Sequence, residues 1–192
     1  MHEQLSMLHR HLALPELEAG LDHIRNAPKD AGLLELIVRR PRVDQRETLD
    51  EGHLDTSEGL AGDTWRFRAS SRTPDKTPHP DMQINIINAR AIALIAQDPA
   101  RWALAGDQLY VDLDLSAANL PPGTRLTIGE AAVEVTAQPH TGCGKFVERF
   151  GLDAMKFVNS PAGRALGLRG INGKVVRGGR IRRGDTVSVE RA

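Results

Sequence analysis

"INGKVVRGGRIRRGDTVSVER", residues 171–191, decides the fold. It reads as three short strands, separated by tight turns at Gly178-Gly179 and Gly184-Asp185. Upstream, "RLTIGEAAVEVTAQP" (125–139) gives two more strands around Gly129, and "DQLYVDLDL" (107–115) alternates as a half-buried strand. Short strands at close spacing with glycine turns predict a compact, twisted antiparallel barrel.

Outward from this core the texture changes. "GKFVERFGLDAMKFVNSPAG" (144–163) is periodic at helical spacing, with Phe146, Val147 and Phe150 followed by Met155, Phe157 and Val158, and predicts a helical insertion. In "MQINIINARAIALIAQDP" (82–99), Ile84 and Ile86 alternate as in a strand. Asn88 then suits a helix cap, and Ile92 and Ile95 share one helical face. Residues 41–81 are polar and carry Pro74, Pro78 and Pro80, which predicts an exposed loop. "GLLELIVRR" (32–40) reads as a strand. "LPELEAGLDHIRNAP" (14–28) reads as a helix that starts at Pro15. The fold class expected is mainly β with helices: a β-barrel-like antiparallel core, N-terminal helices and a helical insertion. The expected division is an N-terminal helical extension, residues 1–50, packed on a barrel domain of residues 51–192.

At 40% apolar and 26% charged residues, the chain has the composition of a globular protein that buries its own core. No apolar run reaches membrane-span length, and the single cysteine excludes an intramolecular disulfide, so a reducing, cytoplasmic compartment is expected. The net charge is zero but unevenly spread. Residues 1–63 hold 13 acidic and 7 basic side chains, and residues 161–192 hold 8 basic and 2 acidic. The basic end either attracts an anion or pairs with the acidic first third. Its "RGGRIRRGD" resembles an Arg-Gly nucleic-acid segment. The flanking alternation instead makes it a strand hairpin, so neither nucleic acid nor membrane is an expected partner.

That single cysteine, Cys143, stands in "QPHTGCGKF" (138–146) between two glycines. A helix N-terminus at Gly144 would favour a thiolate. Lys145 and His140 could each pair with it, and Gly142 and Gly144 would leave room for a ligand at sulfur. Against this stands the ordinary case of a free cysteine as a small packing residue. No Cys-x-x-Cys, no zinc-spaced histidine pair and no Walker loop is present.

In order along the chain, "GLAGDTW" (59–65), "MQINIINARAIALIA" (82–96), "AGDQLYVDLDL" (105–115), "LTIGEAAVEVTAQPHTGC" (126–143) and "LRGINGKVVRGGRIRRGDTVSV" (168–189) resemble a MOSC domain. This is the C-terminal domain of molybdenum cofactor sulfurases and of related stand-alone proteins. The resemblance covers residues 55–190 and implies a mostly antiparallel barrel that handles sulfur or the molybdenum–pterin cofactor. It implies that Cys143 carries sulfur as a persulfide or ligates molybdenum. It also suggests Arg164, Arg169, Lys174 and Arg177 as candidates for the pterin phosphate. One departure is Gly106-Asp107-Gln108, where many relatives carry Gly-Glu-Asn. The larger relatives also contain a pyridoxal-phosphate desulfurase domain. Here that cofactor would belong to a partner cysteine desulfurase that donates sulfur.

Three functions are therefore open. In the first, Cys143 is the catalytic thiol and metal ligand, His140 shuttles a proton and Lys145 holds the anionic form. The activity is then cofactor sulfuration or molybdenum-dependent reduction of N- or S-oxidised compounds. In the second, the barrel is a non-catalytic module that binds a cofactor or partner, with Cys143 structural. The third, a cysteine hydrolase using His140, lacks an orienting acid.

Overall fold

The computed structural model describes residues 10–191. Seven strands close into a barrel: β1 (Ala31–Arg39), β5 (Ile84–Asn88), β6 (Leu109–Asp112), β7 (Arg125–Ile128), β8 (Ala131–Val135), β9 (Ile171–Arg177) and β11 (Thr186–Glu190). Around the ring the order is β11-β7-β8-β9-β5-β6-β1, and the β1–β11 pairing closes it. The expected β7–β8 hairpin is present, with Gly129 at φ 53° in its turn. The hairpin expected within 171–191 is not: β9 lies between β8 and β5, β11 lies between β7 and β1, and residues 179–182 leave the ring for a separate small sheet, so the glycine turns there are corners at which the chain changes partner. The barrel is mixed rather than wholly antiparallel, because β5 and β6 run parallel.

A parallel pair needs a crossover, and α3 (Ala89–Ala96) with the 3-10 stretch Pro99–Ala105 supplies it. Asn88 caps α3, its Oδ1 accepting from the N–H groups of Arg90 (2.8 Å) and Ala91 (3.1 Å). Pairing β5 with β6 buries both of their faces. Ile84, Ile86, Leu109 and Val111 belong to the barrel core, while Ile87 and Tyr110 face an outer layer of helices. That layer contains α1 (Leu14–Ala19), α2 (Leu21–Arg25), α4 (Gly144–Phe150) and α5 (Leu152–Asn159), with Leu17, Ile24, Phe150 and Phe157 buried in it. Each such side chain contributes about 1.5–3 kcal/mol of apolar burial. The short α6 (Pro161–Ala165) completes the insertion.

Three further readings need correction. The helix expected over 14–28 is two short helices hinged at Gly20, where a Cβ would sit 2.5 Å from Leu94 Cδ2. The segment 41–81 is not all loop. It holds β2 (Glu47–Leu49), which extends β1, and β3 (Glu51–Asp55) and β4 (Gly59–Leu60), which form a small sheet with β10 (Gly179–Arg182). These strands are too short and too polar to show an alternating pattern. Leu54, Leu60 and Ile181 of the small sheet join the barrel core. Finally, residues 1–50 are more than a helical extension. They contribute β1, which pairs with β6, β11 and β2, and a boundary at residue 50 would separate β1 from the rest of the ring. Residues 1–9 of that stretch lie outside the described residues.

Candidate functional site

The segment leaving β8 is pinned from both sides. Thr136 N–H donates to Asn172 O (2.9 Å), and Gly142 N–H donates to Asn159 Oδ1 (2.9 Å), whose Nδ2 returns a bond to Gly142 O (3.3 Å). Gly142 is small because α5 lies against it: a Cβ would come within 3.2 Å of Met155 Cγ and Val158 Cγ2. Gly144 is different, since a Cβ there would meet nothing within 4 Å. Between them Cys143 adopts an extended conformation and caps α4, with its thiol free and the residue exposed.

Cys143 lies on the wall of a cavity of about 180 Å³. Arg40, Arg46, Arg68, Lys145, Arg149 and Arg169 also line it, together with His140 and Asn85. Not all of these cations are free to meet a ligand. Arg40 is structural. It is buried, binds Asp63 through Nε (2.8 Å) and Nη2 (2.7 Å), and reaches Asn85 Oδ1 (3.1 Å) and Gly106 O (3.0 Å) through Nη1. Lys145 Nζ donates to Asp44 Oδ1 (2.9 Å), and Arg149 donates to Leu104 O (2.8 Å) and more weakly to Asp44 (3.4 Å). Arg169 Nη1 donates to the buried Asp107 (2.7 Å).

Arg46 and Arg68 remain, and no carboxylate is bonded to either among the described residues. Arg46 donates only to Gln45 O (2.7 Å), and Arg68 donates to Thr64 Oγ1 (3.1 Å). Burial, then the charges of Arg149 and Arg40, pull the Arg46 pKa down. Arg68 is exposed as a residue, yet partial burial of its guanidinium, then the charges of Arg40 and Arg46, push its pKa down to about 10. Both side chains stay charged at neutral pH, so the cavity carries positive charge that its own protein groups leave unmatched.

Unpartnered atoms gather in the same place. Among the described residues five buried side-chain polar atoms lack a hydrogen-bond partner: Arg46 Nε, Trp102 Nε1, Asp107 Oδ1, His140 Nδ1 and Arg169 Nε. Four of the five are on residues that line the cavity or stand directly behind it, and buried polar groups are rarely left so. His140 Nδ1 faces Asp107 Oδ1 at 3.5 Å without forming a bond. Burial, then the charges of Arg169 and Arg40, hold the His140 pKa well below its ordinary value, so the imidazole is neutral at pH 7 and the contact is not an ion pair. Burial pushes the Asp107 carboxyl up, with Arg169 opposing.

The structure thus brings Cys143, His140, Lys145 and Arg169 to one cavity. It does not bring the other expected phosphate residues there. Arg164 lines a neighbouring cavity. Lys174 pairs with Glu134 (3.2 Å), and Arg177 donates to Glu130 O (3.2 Å). The rest of the basic C-terminal segment is paired as well. Arg182 binds Glu51 (2.7 Å), Arg180 binds Glu130 (3.1 Å) and Arg191 binds Asp30 (3.0 Å). Sequence reasoning missed Arg46, Arg68 and Arg149. It noticed the Gly106-Asp107-Gln108 departure, and both side chains turn out to be buried braces. Asp107 holds Arg169, and Gln108 accepts from Asn85 N–H (2.8 Å) and donates to Gln83 O (3.2 Å).

Comparisons with known proteins agree with this fold. The MOSC domain family profile matches residues 74–188. Among solved structures, the YuaD protein from Bacillus subtilis superposes with a TM-score of 0.59 at 21% identity, covering 83% of this chain and 95% of that one. YiiM from Escherichia coli gives 0.53 at 18% identity, covering 83% and 70%. No curated protein matches the chain. Among the described residues no helix is long and apolar enough to cross a membrane.

Proposed function

Because the chain belongs to the MOSC domain family, a family associated with molybdenum cofactor binding, we propose that the Cys143 cavity holds the molybdenum–pterin cofactor and that the protein reduces N- or S-oxidised compounds with it. The carrying observation is an exposed thiol on the wall of a cavity with two uncompensated guanidinium groups. The residues fit such a group. Arg46 Nε and Arg169 Nε are buried donors without acceptors, as an oxyanion requires, and a thiolate is a soft donor suited to molybdenum. Among the described residues no three His, Cys, Asp or Glu side chains converge, so a metal at Cys143 would arrive with its other ligands on the cofactor.

When bound, the cofactor supplies two-electron redox chemistry at molybdenum. The protein does the rest. Cys143 Sγ would hold the metal end. Arg46 and Arg68 would hold the phosphate through their unmatched guanidinium groups. Asp107 fixes Arg169 against the wall, and His140 meets a ligand as a neutral, hydrogen-bonding imidazole. Lys145 is committed to Asp44, so holding the thiolate would require it to exchange partners.

The exposure of Cys143 favours a second reading, sulfur carriage. The Cys143 thiolate would attack the terminal sulfur of a partner desulfurase's persulfide. A new S–S bond forms at Sγ as the partner's S–S bond breaks, and the partner cysteine leaves as thiolate. The test is molybdenum analysis of protein from cofactor-producing cells, beside Cys143→Ala and the double variant Arg46→Ala/Arg68→Ala. Stoichiometric metal in the wild type, lost in both variants with the thermal midpoint kept, is the expected result. Full metal in Cys143→Ala would sink the ligand role. No metal in any of the three, with a persulfide on Cys143, would replace the first reading by the second.

A further inference from the structure

His140 and Arg169 have two sides. One faces the Cys143 cavity, and the other faces a separate cavity of about 370 Å³ between the barrel and α6. The size falls within the usual range for small-molecule sites. Its character differs sharply from the first. Most of the wall is apolar, with Leu120, Val135, Val158 and Ile171 prominent in it. Two glycines of this wall, Gly163 and Gly167, have no space for a side chain, because a Cβ would lie 2.2 Å from Phe157 O and 2.6 Å from Leu115 O respectively.

Thr136, Gln138 and Thr141 add neutral polar groups to the rim, while the charged groups are few and of one sign. No aspartate or glutamate lines this cavity. Arg169 has its charge met by Asp107, leaving only the buried Nε without an acceptor. Arg164, at the end of α6, is exposed and has no ion-pair partner among the described residues. One unmatched cation beside an apolar hollow suits a monoanion with an apolar body. The several cations of the Cys143 cavity suit a more highly charged ligand.

We propose that this second cavity binds a small aliphatic carboxylate, its head on Arg164 and its chain against Leu120, Val135, Val158 and Ile171. The site stands independently of any role for Cys143. It would place such a ligand against the back of the His140–Arg169 wall.

Calorimetric titration with hexanoate tests this, with hexanamide as the uncharged probe. Hexanoate binds the wild type saturably, and hexanamide binds roughly tenfold more weakly, the loss expected for one charge-assisted hydrogen bond. Arg164→Gln shows the same roughly tenfold loss, Arg164→Lys recovers part of it, and Cys143→Ala binds as the wild type does. Arg164 is exposed, so its variants should keep the wild-type thermal midpoint, and that midpoint is measured alongside. Three results would each overturn the site: no saturable binding, equal affinity in Arg164→Gln, or displacement of hexanoate by inorganic phosphate, which would put the ligand among the arginines on the other side.

Discussion

Arg40 and Asp63 lie side by side behind the arginine-lined cavity, with both side chains almost wholly excluded from solvent. Burial alone would raise the Asp63 carboxyl. The bonds and charge of Arg40, with the N–H groups of Arg40 and Trp65, outweigh it and hold the group below its ordinary 3.8. A carboxyl depressed in the folded state stabilises fully above its unfolded pKa and loses that contribution as the pH falls through the folded value. Acid unfolding of the wild type should therefore steepen below about pH 4, while Asp63→Asn shows a flatter acid limb. At pH 7 the variant strands a buried guanidinium and should lose about 3–5 kcal/mol in urea unfolding. A loss under about 1 kcal/mol would mean that the pair is not a structural post. The residue scale is also where the sequence is least legible. Cys143 stands out because it is unique. Arg46 and Arg68 do not, since they come from polar stretches without pattern and meet only in three dimensions. Lys174 and Arg177 mislead for the opposite reason. They cluster in the chain but pair with Glu134 and Glu130 O on the barrel wall.

Elements with strong periodicity are legible, and those held by their neighbours are not. The β7–β8 hairpin and the separate existence of β9, β10 and β11 follow from alternation and glycine turns, and Asn88 marks the start of α3. The partners of those last three strands do not follow, because each pairs with strands distant in the chain rather than with its neighbour in sequence. β2, β3 and β4 have two to five residues each and take their register from β1 and β10. The approach to β9 carries a particular demand at Gly170. Its φ is 109°, and a Cβ would stand 2.5 Å from Ile86 O and 3.1 Å from His140 Nδ1. Gly170→Ala should lose about 1–3 kcal/mol from backbone strain and this crowding. A urea midpoint equal to that of the wild type would show that the strand entry relaxes freely.

At the scale of the whole molecule, closure rests on β1, which the chain delivers before residue 40 and which joins β6 to β11. A fragment of residues 51–192 keeps the resemblance to the family but opens the ring. It should show no cooperative thermal transition, whereas a sharp one would make residues 1–50 dispensable. Closure has a further consequence, for how the molecule behaves in a crowded solution. Unpaired strand edges are templates for aggregation, and a ring has none. β2 offers an outer edge only three residues long, with Glu47 held by Arg39 (2.6 Å). In the small sheet, β4 is two residues long, and Arg180 O on β10 already accepts from Glu130 N–H (3.0 Å). A rich supply of β-structure is thus packaged so that little of it can recruit a neighbouring chain.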